Sequence, residues 1–360
     1  MTAKRTISAG RRAPFGFTLI ELLVVIAIIT LLVSVTLPSL SAARRVAQRV
    51  VCGASLRSSC QMMASYGQAN DDAIIGSPGT SGLYLANPPA SGPFPGPCTT
   101  RWDFMGVMAL EAGDESVLDE NPSTRFHRIR TMKMFQCASN PYFAEPYGTQ
   151  FAQDAGAGPM IALNTSRNFM FRGGTPSPAQ SNLVGLIFNG PGYEETLPRE
   201  YGPVLTRVGD MARKVFVADG ARFSTCSQQP TFEVDAGTRW GGSHADIAPY
   251  KVGPGLSKSW DRSAAAGNAL AGAACATPGW VDARQYAYRH NASALVPCSA
   301  RGDAYRGNFA FFDGHVETLG DLESSNPYMW VPARSTVRMA GGSQPDVIAR
   351  YGSGTLNVSQ

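Results

Sequence analysis

A continuous apolar run near the N-terminus limits what this chain can fold into. Between Phe17 and Leu40, Glu21 is the only ionisable side chain. A helix over this run reaches about 36 Å at about 1.5 Å per residue, and the hydrocarbon core of a bilayer is about 30 Å thick. The run therefore predicts a transmembrane helix. A carboxylate one turn inside such a helix is costly and usually functional, so Glu21 is a candidate functional residue.

A basic leader precedes the apolar run. Residues 1–16 contain four cations and no acidic residue: Lys4, Arg5, Arg11 and Arg12. The whole chain has a net charge of +4, from 31 basic and 27 acidic residues, so removal of the leader leaves it near neutral. The leader favours a cytoplasmic N-terminus. Because the positive charge belongs to the leader, the composition gives no support to nucleic-acid binding.

The junction of leader and apolar run resembles the class III signal sequence of type IV pilins and type II secretion pseudopilins. The matching residues are Gly16-Phe17-Thr18-Leu19-Ile20-Glu21. The resemblance implies that a prepilin peptidase cleaves after Gly16 and methylates Phe17. It also implies that Glu21, then the fifth residue, pairs with the terminal ammonium of a neighbouring subunit. Such pairing makes two charges that are each costly in lipid tolerable.

Two simpler interpretations of the N-terminus account for less of the sequence. An ordinary signal anchor explains the apolar run and the basic flank, but it does not explain Gly16-Phe17 with a carboxylate at Glu21. A cleaved secretory signal has a shorter apolar region and a small-residue cleavage site after it. The apolar run of this chain is too long for that class and is not followed by such a site.

Pro38 divides the predicted N-terminal helix. Proline removes a backbone donor, so we expect a kink or a loosened turn there. The helix is predicted to resume from Ser39 to about Tyr66 and to pack one face on the head, through Leu40, Ala43, Ala47, Val50, Ala54 and Met63. The predicted organisation is a leader (1–16), a transmembrane helix (17–40), the periplasmic half of the helix (41–66) and a pilin-like head (67–360).

The composition of the head indicates an α+β fold with long loops. The chain has 38 Gly and 25 Pro, and only 16% of its residues are charged. Residues 76–97 are predicted to be a long loop and residues 102–112 a short helix. Strands are predicted at 133–137, 168–172 and 183–188, and a loosely ordered tail from residue 327. The expected head is an antiparallel sheet.

Two Asp-Gly pairs predict tight hairpin turns, because such turns need residues that accept positive φ. They are Asp219-Gly220 and Asp313-Gly314. In the second hairpin we expect Phe311 opposite Val316. This second segment resembles the C-terminal H-X9-DG element of large pseudopilin-like proteins, although His290 lies 23 residues before Asp313.

Aspartate is favoured in tight turns, so the aspartates of these pairs need no metal ion to explain them. We therefore predict no metal site, with calcium at Asp219, Asp303 or Asp313 as the alternative.

The seven cysteines leave at least one thiol unpaired within the chain. Cys52 and Cys60 are about 12 Å apart on one helix, too far for a disulfide. No Cys-x-x-Cys pair is present, so a zinc ribbon or a thioredoxin-type site is unsupported.

The four histidines do not suggest an active site. The two clusters are Ser243-His244-Ala245-Asp246, and His290 with Asp313 and His315. A hydrolase needs a positioned Ser or Cys beside a His and an acid, and the sequence contains no nucleophile elbow. We therefore predict that the protein is not an enzyme.

The resemblance and the sequence pattern together predict a structural subunit of a type II secretion or type IV pilus-like filament. Its predicted partners are prepilin peptidase, copies of itself or other pilin-like subunits, and the bacterial inner membrane. The head is expected in the periplasm or on the cell surface. A pilin-anchored extracytoplasmic binding protein or a minor tip subunit is the alternative, because the head is large and long loops often carry binding sites.

Overall fold

The computed structural model describes residues 18–75, 104–115, 128–129, 131–139, 143–144, 158–159, 162–170, 173, 195–220, 245–246, 248–250, 286, 288, 290, 306–339 and 345–359. The chain divides into two compact units, Met1–Val46 and Ala47–Gln360. The predicted fold class is confirmed: a long apolar N-terminal helix is followed by antiparallel β-sheets in an α+β, pilin-like arrangement.

Helix α1 spans Leu19–Ala69 and has 51 residues, with Pro38 inside it. The helix is continuous through Pro38, and the kink or loosened turn expected there stays a prediction. Ser41 Oγ donates a hydrogen bond to the Pro38 carbonyl at 2.8 Å.

The C-terminal half of α1 buries Met63 as predicted, but its other predicted positions are exposed. Its buried side chains include Cys52, Leu56 and Met63, whereas Val50 and Ala54 are exposed. A shift of two residues turns a helix by about 200°, so these positions lie on nearly opposite sides. The prediction was wrong for these other positions because it gave small alanines more weight than the larger Leu56 and Tyr66.

The largest sheet of the head has five strands in the order β6-β3-β5-β7-β8. The strands are β3 (Leu163–Ser166), β5 (Val215–Asp219), β6 (Ala245–Asp246), β7 (Arg306–Phe311) and β8 (Val316–Gly320). All neighbours pair antiparallel except β3 and β6, which are parallel.

Two smaller sheets complete the described strands. One contains β1 (Phe143–Ala144) and β2 (Gly158–Pro159). The other has the order β10-β9-β4, formed by β4 (Glu195–Thr196), β9 (Thr336–Met339) and β10 (Gly354–Asn357). Helices α2 (Phe104–Glu111) and α3 (Pro345–Tyr351) lie outside the sheets.

Strand β7 separates two hydrophobic clusters through the alternation of its side chains. Ala310 belongs to the cluster that contains Leu56 and Tyr66 of α1. Phe309 and Phe311 belong to the other cluster, together with Trp330. Successive side chains of a strand point to opposite faces, so the apolar residues of β7 contribute to both cores.

The Asp313-Gly314 hairpin differs by one residue from the predicted register. Ala310, not Phe311, lies opposite Val316. Gly314 N donates to the Phe311 carbonyl at 2.9 Å, and Phe311 N donates to the His315 carbonyl at 3.0 Å. Gly314 has φ +91°. This is a three-residue loop built on a tight turn followed by a left-handed glycine, whereas the prediction assumed a two-residue loop.

The C-terminal segment is ordered, so the predicted loose tail was wrong. Trp330 is fully buried, and its Nε1 donates a hydrogen bond to the Ser324 carbonyl at 2.7 Å. Its ring contacts Tyr286 edge to face, with centroids 4.6 Å apart. A large aromatic ring with a satisfied polar atom anchors a segment despite its turn-rich sequence.

Two other local predictions were also wrong. Lys133–Phe135 and Arg167–Phe169 form 3₁₀ turns instead of strands. The short helix predicted over 102–112 is present as α2, and Gly113 follows it with φ +84°. The loop predicted at 76–97 and the strand at 183–188 lie outside the described residues.

Candidate functional site

Thr18 and Glu21 form a reciprocal cap at the start of α1. Thr18 N and Thr18 Oγ1 donate hydrogen bonds to Glu21 Oε2, at 2.8 and 2.9 Å. Glu21 N donates in return to Thr18 Oγ1 at 3.2 Å. This is the geometry of a capping box, in which two side chains satisfy backbone donors that the first helical turn leaves free. The carboxylate is therefore oriented toward the N-terminal end of the helix.

The first half of α1 exposes apolar side chains all round. Every side chain from Thr18 to Ala47 is exposed. Such a helix is long and apolar enough to cross a membrane by length and composition. Exposed apolar surface of this extent is unfavourable in water, so the segment requires an apolar environment.

A second group of polar side chains is buried in the head around Asp219, the last residue of β5. Asp219 Oδ2 accepts a hydrogen bond from Asn308 N at 2.6 Å and lies 2.7 Å from His290 Nε2. His290 Nδ1 lies 3.3 Å from Ser139 Oγ. Asp219 is 1% and His290 6% exposed, so this pair is shielded from water.

A disulfide lies beside the buried Asp219–His290 pair. It joins Cys52 of α1 to Cys137, 85 residues further along the chain. The Cys137 sulfur is 3.9 Å from His290 Nε2. Asn308 connects the same region to α1, because its Nδ2 donates to the Arg49 carbonyl at 3.1 Å. The buried polar group therefore ties the helix to the central strands β5 and β7.

Comparison with known families identifies the N-terminal segment. Residues 11–37 match the family described as the prokaryotic N-terminal methylation motif. The chain carries a type IV pilin-like N-terminus. No curated protein matches the chain, and no solved structure matches it.

The pilin-like motif includes three of the residues predicted for processing and assembly: Gly16, Phe17 and Glu21. Gly16 and Phe17 lie outside the described residues, and Glu21 is the described member. The resemblance of the segment from His290 to Val316 to an H-X9-DG element stays a prediction.

The two Asp-Gly pairs of the head occupy different environments. Asp313 lies in the β7–β8 turn, where its Oδ1 accepts from His315 N at 3.1 Å and contacts His315 Nδ1 at 2.5 Å. Asp219 ends a strand instead, and Gly220 forms a bridge with Tyr286. The expected partner strand after Gly220 lies outside the described residues.

The calcium prediction involves aspartates that the fold separates. Asp219 and Asp313 lie at opposite ends of the antiparallel β5–β7 pair, since β5 runs from Val215 beside Phe311 to Ala218 beside Phe309. One ion does not contact both. Asp303 lies outside the described residues, and calcium at any one of these positions stays a prediction.

Histidine clusters predicted from sequence are also rearranged. His290 pairs with Asp219, whereas Asp313 pairs with His315. Ser243 and His244 of the Ser243–Asp246 cluster lie outside the described residues. Sequence reasoning missed the group of Cys52, Cys137, Asp219 and His290 because its members are separated by 71 residues or more. No local spacing pattern could have revealed it.

A cleft of about 630 Å³ lies on the head beside the β7–β8 hairpin. Its lining includes Lys214, Glu317, Tyr328, Arg350 and Tyr351. Lys214 is buried, and its Nζ donates a hydrogen bond to the Tyr328 carbonyl at 2.8 Å. Burial lowers the pKa of Lys214 to about 8, against a smaller opposing effect of Asp210. The cleft thus combines both signs of charge with aromatic surface.

Proposed function

We propose that this protein is a structural subunit of a type II secretion or type IV pilus-like filament. In this proposal prepilin peptidase cleaves it after Gly16 and methylates Phe17. The observation that carries the proposal is the match of residues 11–37 to the prokaryotic N-terminal methylation motif. The motif indicates a structural subunit rather than an enzyme.

The geometry at the start of α1 supports the role proposed for Glu21. Its carboxylate is held at the helix N-terminus by Thr18, next to the residue that cleavage would make the new terminus. A neighbouring subunit's ammonium would meet a carboxylate that is already oriented. In lipid a lone charge of either sign is costly, so pairing favours one axial position of the neighbour over others.

The exposed apolar half of α1 supports the proposed course of assembly. Before assembly the bilayer covers its apolar side chains, and in a filament the equivalent helices of other subunits cover them. Close packing between helices then replaces contact with lipid. The inner membrane is the proposed site of the unassembled subunit, with the head outside the cytoplasm.

Processing is tested by co-expressing the full chain with an active prepilin peptidase and measuring the intact mass. The expected product begins at Phe17 and carries one added methyl group. Gly16→Val is expected to remain uncut, whereas Gly10→Val, in the leader but away from the junction, serves as the matched control and is cut normally. An uncut wild-type chain in the presence of a peptidase that cleaves another substrate would refute the proposal.

Assembly is tested by separating the capping role of Glu21 from its role between subunits. Thr18→Ala removes the hydroxyl of the cap, a loss of about 1 kcal/mol of helix stability. Glu21→Val removes both the cap and the proposed partner of the neighbouring ammonium. We expect both variants to be cleaved, Thr18→Ala to enter isolated filaments, and Glu21→Val to be depleted from them. Equal depletion of both would show that Glu21 acts only as a cap.

The cleft beside β7–β8 supports a second candidate, a pilin-anchored binding protein or minor tip subunit. Its charged and aromatic lining is of the kind that binds polar ligands. Quantifying the protein in isolated filaments distinguishes the two. A main subunit is a dominant component, whereas a tip subunit is present in a few copies per filament and an anchored binding protein stays in the membrane fraction.

A further inference from the structure

We propose that Cys52, Cys137, His290 and Asp219 form a buried site for one divalent metal ion of the zinc type when the two cysteines are thiols. The four residues come from α1, the segment after Lys133–Phe135, the chain before β7, and the end of β5. The fold alone brings them together. This proposal is independent of the proposed function.

The donor atoms of three of the four residues already lie close together. The ligand atoms of Cys52, Cys137 and His290 all lie within 4.8 Å of one another. His290 Nε2 is 3.9 Å from the Cys137 sulfur and 2.7 Å from Asp219 Oδ2. Tetrahedral zinc takes sulfur at about 2.3 Å and nitrogen or oxygen at about 2.0–2.2 Å, which places neighbouring ligand atoms about 3–4 Å apart. Opening the disulfide lets the sulfurs separate to that distance. The distance from Nε2 to the Cys137 sulfur is in this range, whereas the distance from Nε2 to Asp219 Oδ2 is that of a hydrogen bond and has to lengthen.

Asp219 has an unused oxygen in this group. Its Oδ2 accepts from Asn308 N, but its Oδ1 is buried and has no hydrogen-bond partner in the described structure. A buried polar atom without a partner is unfavourable, and more so when it is charged. A bound cation would satisfy this oxygen and complete a four-ligand set of two sulfurs, one nitrogen and one oxygen.

Neighbouring groups are arranged to orient these ligands. Ser139 Oγ lies 3.3 Å from His290 Nδ1. In the disulfide form Nε2 faces Asp219 Oδ2 and is the hydrogen-bond donor there. Metal binding therefore moves the proton to Nδ1, where Ser139 Oγ accepts it, and the lone pair of Nε2 then faces the ion. Asn308 N donates to Asp219 Oδ2, the oxygen that also faces His290, and so fixes the orientation of the carboxylate. Such second contacts fix the histidine tautomer and the ligand orientation at metal sites. The pair of thiolates favours zinc over calcium or magnesium.

The metal and the disulfide exclude each other. Binding to the dithiol form releases the two thiol protons, since the thiolates are the ligands. Forming the S–S bond instead removes two electrons from the sulfurs and releases the ion; the acceptor is a disulfide of the thiol–disulfide oxidoreductase class. Both forms connect α1 at Cys52 to the segment at Cys137. The ion would hold this connection in a newly made chain before oxidation.

The test measures metal bound to the full chain in detergent. The protein is reduced with a phosphine without access to oxygen, incubated with Zn²⁺ or Co²⁺, passed through gel filtration and analysed for metal content. Wild type and a background with Cys60, Cys98, Cys226, Cys275 and Cys298 all changed to serine are compared, because these other cysteines could also bind metal. The disulfide form of each protein is the matched control.

We expect about one ion per reduced chain and none in the disulfide form. Cobalt should show the charge-transfer and intense visible bands of a tetrahedral thiolate site. Cys52→Ser/Cys137→Ser should abolish binding. His290→Ala should weaken it by more than about 100-fold, since changes outside the ligand shell already cost about 10–100-fold.

Two results would overturn the proposal. One is a reduced chain that binds no ion, whether or not it remains folded by circular dichroism. The other is metal binding in the serine background that is unchanged by His290→Ala. If the reduced chain unfolds without metal and refolds with one equivalent of Zn²⁺, the result supports the site.

Discussion

Removing the Cys52–Cys137 disulfide is expected to lower the free energy of unfolding of the head substantially. The bond spans a sequence separation of 85 residues. The chain-entropy relation for a loop of that length gives about 4–5 kcal/mol at 25 °C, and measured values for native disulfides are about 2–5 kcal/mol. Folded domains are stable by only about 5–15 kcal/mol, so this single bond contributes a large share.

The appropriate variant is Cys52→Ser/Cys137→Ser, because a single change would leave a free thiol able to form a wrong disulfide. Urea unfolding of the full chain in detergent, with a chelator present, is followed by tryptophan fluorescence, to which the buried Trp330 contributes. For an m-value of about 2–3 kcal/mol/M, the midpoint should fall by about 1–2 M.

Cys60→Ser is the matched control on the same helix. Cys60 is buried and unpaired, and its sulfur donates a hydrogen bond to the Phe311 carbonyl at 3.3 Å. Burial, with a smaller contribution from Asp313, raises the pKa of the Cys60 thiol to about 12, so it is a poor nucleophile. Serine keeps a donor there, and we expect a change of about 1 kcal/mol. An unchanged midpoint in the double variant would refute the stabilising role of the disulfide.

Two further substitutions test the packing and electrostatics of the head. Gly173→Ala should destabilise the head by about 3 kcal/mol, because the new Cβ would clash with the Pro198 carbonyl oxygen. Gly113→Ala, with φ +84° but open space around it, should cost only about 1 kcal/mol. Equal losses of unfolding free energy for the two variants, measured by urea unfolding, would contradict the predicted clash at Gly173. Lys214 has a folded-state pKa of about 8, below its unfolded value, so its burial cost is full below pH 8 and should disappear as the pH rises to about 10.5. The free energy of unfolding of wild type should therefore rise over this window by at most about 3 kcal/mol relative to Lys214→Met. The control Lys133→Met, at an exposed lysine, should show the same pH dependence as wild type. If Lys214→Met also showed the pH dependence of wild type, the burial cost would be refuted.

Local features were predictable wherever short-range chemistry decides the structure. The uninterrupted apolar run specified a long helix, and the hairpin at Asp313-Gly314 followed from a turn that needs positive φ at glycine. The register of that hairpin was not predictable, because two-residue and three-residue loops fit the same sequence. Most of the buried face of α1 was also missed, since it depends on which side chains the sheet contacts.

The sequence by itself determined the pilin-like N-terminus, the apolar helix and the presence of Glu21 within it. These features depend on residues adjacent in the chain, so their physical consequences are local. The tertiary structure decided the pairing of Cys52 with Cys137, the contact of Asp219 with His290 and the burial of Trp330. Each of these joins segments distant in sequence, and only the folding of the strands around α1 brings their atoms within bonding distance.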